Sequence, residues 1–327
     1  MIRLLTWALL TVAVAVCDPN PADASSAGKA LPEVLWRAPR QMTMEDWTCG
    51  PGGCDRVPAP PFQFIKEDPG GTNPKVTVRD ANRRAWSVKF GAEVIPECFA
   101  PRLLEALGYA AEPTYFVATG KIIGVHDLHR ARWMVKKDGT FTKARFELRG
   151  QPDLVYLKGR EWSWLDNPFR GTPELAGLKI AMMLLSNWDA KDARDGGDSN
   201  NGVFREAEPG TSDLRYEVFD WGASLGRWGG QLRRDQSDCA GFAEDTQHFV
   251  KGVRQSEVEW GFTGKHWQDL TAGISVDDVR WLMPHLLRIT PEQMQAGLKA
   301  SGATEREATC WAGAIENRIQ QLQAITR

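Results

Sequence analysis

Two aspartates and two lysines define the chemistry open to this chain. The stretch Asn187-Trp188-Asp189-Ala190-Lys191 closes an apolar helical run, and Phe219-Asp220-Trp221-Gly222 follows downstream. A carboxylate at Asp189 can orient or deprotonate an attacking hydroxyl. Lys191 can neutralise charge that develops on a transferred phosphoryl group. Asp220, together with Asn200 or Asn201, offers the hard oxygen donors that Mg²⁺ prefers. The plainer reading of the first segment is a polar helix end with solvent-facing charges.

Anion binding needs donors, and the chain has a second set of residues for that. Gly70 and Gly71 let backbone N–H groups approach anionic oxygens, and Thr72 and Lys75 can add side-chain donors. An ordinary hairpin turn has the same composition. Lys89 lies in the apolar strand pattern Trp86-Ser87-Val88-Lys89-Phe90, where an inward lysine can grip phosphates if a helix carboxylate orients it. Glu97 is the leading candidate for that carboxylate and Glu93 its rival. The order is the informative part: glycine loop, strand lysine, helix glutamate, Asp-x-Lys, asparagine, hairpin, then Asp-x-Gly.

The elements that must carry these residues follow from periodicity. Phe62–Ile65, Lys75–Val78 and Ala85–Phe90 alternate as strands, broken by Pro69-Gly70-Gly71 and by Asp80-Ala81-Asn82, which predicts an antiparallel meander. Pro96 opens a helix with Phe99, Leu103, Leu104 and Leu107 on one face, ending at Gly108; Pro101 fits it poorly outside the first turn. Tyr115–Val117 and Lys121–Ile123 read as separate strands, and Lys136–Gly139 as a turn before the strand Phe141–Leu148. Thr172-Pro173 starts a helix that is apolar nearly all round, hence buried. Gly202–Arg205 and Arg215–Phe219 flank a Pro-Gly turn as a hairpin. Capping boxes at Thr290 and Thr304 head helices over 291–300 and 305–325, after one at 276–287.

Composition bounds the remaining possibilities. With 327 residues, 42% of them hydrophobic, the chain can bury a core, and a formal charge of −2 gives no general attraction to nucleic acid. Arg3 followed by the apolar run Leu4–Val16 and Ala22-Asp23-Ala24 reads as a signal peptide over 1–24, with a lipoprotein signal at Cys17 as the alternative. Either way the domain is expected outside the cytoplasm, periplasmic or secreted, and a membrane tie arises only through a lipidated Cys17. In that oxidising setting Cys49 and Cys54 can close a local disulfide around Gly-Pro-Gly-Gly. Cys239–Cys310 is a second candidate bridge, leaving Cys98 buried and free, although spacing alone does not fix the connectivity. His126 and His129 have helical ligand spacing but no third ligand, and Arg130, Arg132, Lys136 and Lys137 read as a solvated basic face.

Taken together, Lys66-Glu67-Asp68, Gly71-Thr72-Asn73-Pro74-Lys75, Val88-Lys89-Phe90-Gly91, Pro96-Glu97, Gly171-Thr172-Pro173-Glu174-Leu175 and Asn187–Asp192 resemble a group of bacterial secreted or envelope proteins. Those look like distant relatives of HipA-type and phosphoinositide-kinase-like kinases, and the Gly-Gly-x-x-Pro-Lys loop is similar to the phosphate loop of HipA-type kinases. The resemblance covers residues 62–325. It implies an α+β, protein-kinase-like bilobal fold. After the leader, 25–61 would be a linker and disulfide-pinned arm, 62–150 a β-rich N-lobe and 151–327 an α-rich C-lobe. It also implies an ATP- and Mg²⁺-dependent phosphotransferase acting on a hydroxyl of protein, lipid or sugar. Lys75 and Lys89, with Gly70, Gly71 and Thr72, would contact the nucleotide phosphates. Asp189 would be the base, and Asp220 with Asn200 or Asn201 would hold metal.

Three departures stand against the family pattern. Arg194 occupies the position where a kinase's metal-binding asparagine usually stands, Ala193–Ser199 intervenes as an insertion, and Pro173 replaces an expected arginine. The rivals are therefore a catalytically inactive, pseudokinase-type binding module and a structural envelope protein. Transfer of AMP in place of phosphate is a related alternative.

Overall fold

The computed structural model describes residues 30–151, 153–208, 211–229 and 234–327. The leader reading of 1–24, with Cys17, and residues 25–29 of the expected linker lie outside the described residues.

The first half is built from β1 (Glu33–Val34), α1 (Met44–Cys49), β2 (Phe62–Asp68), β3 (Lys75–Arg79), β4 (Ala85–Phe90), α2 (Val94–Leu107), β5 (Thr114–Ile123) and β6 (Thr140–Arg149). The meander expected over β2–β4 forms and goes further. The strands close into a barrel in the order β2-β3-β4-β6-β5, sealed by a parallel contact of Phe62 with Ile122 and Gln63 with Ile123. Alternation sends Trp86, Val88 and Phe90 into the barrel core with Phe62, Phe141 and Phe146. It sends Ser87 and Lys89 out of the other face.

The two short strands expected over 115–123 are one strand. Gly120 is no breaker: a Cβ there would stand 2.5 Å from the Phe141 ring, so the glycine admits that ring. Pro101 sits in the middle of α2, not in its first turn. Its missing N–H leaves the Glu97 carbonyl without a helical donor, and the Thr114 hydroxyl donates to that carbonyl at 2.9 Å.

The arm before the barrel is packed. Trp47 of α1 is fully buried, and the Arg102 guanidinium of α2 donates to the carbonyls of Trp47 at 2.8 Å and Thr48 at 3.1 Å. Cys49 and Cys54 are bonded, as are Cys239 and Cys310, and Cys98 is buried and free.

The second half comprises β7 (Leu154–Tyr156), α3 (Pro173–Leu184), β8 (Asn201–Glu208), β9 (Thr211–Val218), β10 (Arg227–Trp228), β11 (Arg234–Asp235) and α4 (Cys239–Thr246). These are followed by β12 (Val250–Arg254), β13 (Glu257–Trp260), α5 (Trp267–Thr271), α6 (Val276–Leu286), α7 (Pro291–Ala300) and α8 (Glu305–Thr326). The Thr172 side chain accepts from Leu175 N at the start of α3, with Pro173 at the first helical position. Capping boxes open α6, α7 and α8 at Ser275, Thr290 and Thr304. The hairpin β8–β9 joins a sheet in the order β1-β9-β8-β7. The architecture is α+β, with the β-rich part first and the α-rich part second. No helix among the described residues is long and apolar enough to cross a membrane.

Candidate active site

Strand alternation on β4 and helical spacing on α2 meet at one ammonium. Lys89 points out of the barrel, while Glu93 and Glu97, four residues apart, share one face at the start of α2. Lys89 Nζ lies 2.8 Å from Glu93 Oε2, bonds to Glu97 Oε1, and stands 3.7 Å from Asp220 Oδ1. The rivalry between Glu93 and Glu97 resolves as a shared role. The second oxygen of Glu97 bonds to Arg145 of β6, which also bonds to Glu147. Burial works against charge on Lys89, yet Glu97, Asp220 and Glu93 hold its pKa above the ordinary lysine value. Burial likewise opposes Asp220, and Lys89 keeps its carboxyl below the usual range.

Asp220 is delivered by β9 in a left-handed conformation, φ 60°. That conformation is strained for any residue with a Cβ, and such strain collects at functional sites. The glycine of Asp-Trp-Gly has a packing cause. A Cβ on Gly222 would lie 2.6 Å from Glu93 Cγ and 2.9 Å from its Cβ.

The segment Asn187–Lys191 leaves α3 through Ser186, also left-handed at φ 52°. The buried Arg318 of α8 fixes that exit. It donates to the carbonyls of Met183 at 3.1 Å and Leu184 at 3.0 Å, and to the Ser186 hydroxyl at 2.8 Å. A cation at a helix C-terminus is favourably placed against the helix dipole. Asp189 pairs with Lys191 at 3.1 Å. Burial pushes the Asp189 carboxyl above its usual range, and Lys191 opposes the shift.

These parts face one cleft of about 540 Å³, a size suited to a small-molecule ligand. Gly71, Thr72, Lys75, Lys89, Asp189, Lys191 and Asp220 all line it, and so do Glu93, Asp198 and Lys265. Glu97 lines an adjoining cavity of about 190 Å³ behind Lys89.

Three expected residues are placed elsewhere. Gly70 is not at the cleft wall; its N–H donates to Asp68 Oδ1 at 2.9 Å and its carbonyl accepts from Arg130 at 3.1 Å. Asn200 is buried, with its side-chain amide donating to the Asp189 carbonyl at 2.8 Å and its backbone N–H to the Lys191 carbonyl at 3.1 Å. Asn201 is fully buried away from the cleft. Asn200 thus bears on the backbone of the Asp189 loop, while the Asn201 backbone bonds to the Ser199 hydroxyl; neither asparagine lines the cleft. The cause is the insertion, which forms a 3-10 segment over Ala193–Asp198 and brings Asp198 to the cleft wall instead. Arg194, at the expected asparagine position, is engaged with Asp192 and Asp269, each at 2.7 Å.

Sequence reasoning also missed Lys265 and misjudged Arg130. Lys265 reaches the cleft because Gly264 runs against the Trp188 backbone, where a Cβ would lie 2.8 Å from Trp188 Cα. No local pattern announces that contact. Arg130, expected on a solvated face, donates to carbonyls of the glycine loop.

A bound cation would find suitable donors here. One carboxylate oxygen each from Glu93, Glu97 and Asp220 lies within 4.8 Å of the others. The Lys89 ammonium already sits among them, so the cleft-facing Asp220 and Asp198 are the better-placed hard donors for Mg²⁺.

No protein-family model and no curated protein matches the chain. Among solved structures it is similar to a structure described as the Golgi casein kinase, at 10% identity and a TM-score of 0.41, covering 86% of this chain and 74% of that one. The Golgi casein kinase with Mn/ADP bound gives the same figures.

Proposed function

We propose that the chain is a kinase-like phosphotransferase, taking phosphate from ATP with Mg²⁺ to a hydroxyl acceptor. The observation that carries this reading is the convergence of Lys89, Asp189 and Asp220, remote in sequence, on one cleft edged by the glycine loop. Gly71, Thr72 and Lys75 supply donors for phosphate oxygens, and Lys89 is a cation kept charged by Glu93 and Glu97. Asp189 accepts the proton of the attacking hydroxyl as that oxygen bonds to the γ-phosphorus and the bond to the ADP oxygen breaks. Its raised pKa makes it a stronger base than a solvated aspartate. Lys191 steadies charge beside it. Asp220, with Asp198, would hold Mg²⁺, which offsets phosphate charge when bound.

Two disulfides support a location outside the cytoplasm, in the periplasm or secreted. The boundary near residue 150 is our division between a nucleotide-gripping N-lobe and a C-lobe that carries Asp189 and Asp220.

The displacement of Asn200 and Asn201 favours one second reading, a nucleotide-binding module without turnover. Transfer of γ-labelled phosphate from ATP separates the two. The phosphotransferase reading expects label transfer that Asp189→Ala abolishes while ATP binding is kept. ATP binding with no transfer by the unsubstituted chain to protein, lipid or glycan acceptors would establish the binding module instead.

A further inference from the structure

We propose that Arg130 is a positioning residue that converts the glycine loop into an all-donor anion cradle. This inference rests on the phosphotransfer reading. Its guanidinium donates to the carbonyls of Pro69 at 2.8 Å, Gly70 at 3.1 Å and Thr72 at 2.6 Å. In a trans peptide the C=O and the following N–H point in opposite directions. Drawing the Gly70 and Thr72 carbonyls toward Arg130 therefore turns the N–H groups of Gly71 and Asn73 away from it. Gly71, Thr72 and Asn73 line the cleft. Among the described residues, none of their three N–H groups has a protein acceptor. The N–H groups of Gly71 and Asn73, with the Gly70 and Thr72 carbonyls of the same peptides tied behind them, suit an anion site, because a carbonyl oxygen facing phosphate would repel it.

The brace is itself held in place. Glu67, the penultimate residue of β2 before the loop, accepts the backbone N–H groups of His129 at 2.7 Å, Arg130 at 2.8 Å and Ala131 at 2.6 Å. Burial works against its charge, yet those three donors keep the Glu67 carboxyl below the ordinary range. One carboxylate thus fixes the Arg130 backbone beside the loop that its side chain organises. Arginine suits the task because its planar fork presents several donors at fixed angles, whereas a lysine ammonium is a single point that cannot span three carbonyls equally well. Lys75, paired with Asp68 at 3.3 Å across the loop, closes the other side.

The test is calorimetric titration of the full chain with Mg·ADP and, separately, with adenosine, which has no phosphate. The proposal expects Arg130→Ala to weaken Mg·ADP at least about tenfold, a loss in line with disturbed hydrogen bonds to a charged ligand. Arg130→Lys should fall between, and adenosine affinity should hold within about twofold. Equal Mg·ADP affinity in Arg130→Ala and the unsubstituted chain overturns the role given to Arg130. So does a parallel loss for adenosine, which would mark a general structural defect. Failure of the unsubstituted chain to bind Mg·ADP overturns the phosphotransfer reading itself, and the inference with it.

Discussion

Replacing Lys89 with methionine removes one ammonium and leaves its three carboxylate neighbours facing one another. Lys89 is 7% exposed, and Glu93, Glu97 and Asp220 each place an oxygen within 4.8 Å of the others. At an effective dielectric of about 20, two unit charges about 5 Å apart repel by roughly 3 kcal/mol. Arg145 offsets part of this at Glu97, and Asp220 is partly open to water, which screens its share. Breaking a buried ion pair by deleting one partner costs about 3–5 kcal/mol, and Lys89→Met is expected in that range at neutral pH. Urea denaturation gives the number directly. The same cluster predicts a sign for added metal: without the ammonium, millimolar Mg²⁺ should raise the melting temperature of Lys89→Met more than that of the unsubstituted chain. The double variant with Glu97→Gln should be less destabilised than the sum of the singles, by about 1–3 kcal/mol of coupling. A loss under about 1 kcal/mol for Lys89→Met, with additive singles, would refute the placement of the ammonium among these carboxylates.

Two further outcomes follow from the same geometry. Gly222→Ala puts a Cβ against the Cβ, Cγ and Cδ of Glu93, whose Cβ is fixed to the backbone and whose carboxylate is held by Lys89 and Gln236, so a loss of about 1–3 kcal/mol in a urea melt is expected together with weaker Mg·ATP binding; wild-type stability and binding would contradict the packing cause assigned to that glycine. Burial raises Asp189 above the ordinary aspartate value of 3.8, so the acid limb of kcat/KM should have its midpoint above 3.8, and a midpoint at or below that value counts against Asp189 as the base. Because that folded pKa is raised, the stability this group contributes is present below 3.8 and lost as pH rises through the folded value. Asp189→Asn should therefore be as stable as the unsubstituted chain at pH 7, and a loss above about 1 kcal/mol would contradict the sign.

Local signals carried much of the fold. Alternation located β2, β3 and β4, and the threonine capping boxes located α7 and α8, because those patterns depend only on neighbours a few residues away. The barrel closure of β2 on β5 was not legible, since it depends on a contact between residues 62 and 122. Pro101 misled because the relief of its lost hydrogen bond comes from Thr114, on another element. In the site, Lys89, Glu97, Asp189 and Asp220 could be picked out by their order. Order alone does not show that Asp198 reaches the cleft wall while Asn200 and Asn201 do not, because that depends on the path of the 193–198 insertion. Arg130 and Arg318 act through backbone carbonyls, and a carbonyl leaves no trace in residue identity.

Titration of Mg·ATP into the full chain and into Asp220→Asn tests the shared cleft most directly. Saturable binding of one nucleotide per chain, dependent on Mg²⁺ and weakened at least about tenfold by Asp220→Asn, is the expected result. Absence of Mg·ATP binding, or binding that Asp220→Asn leaves unchanged, would contradict the assignment of this cleft to a metal-bound nucleotide.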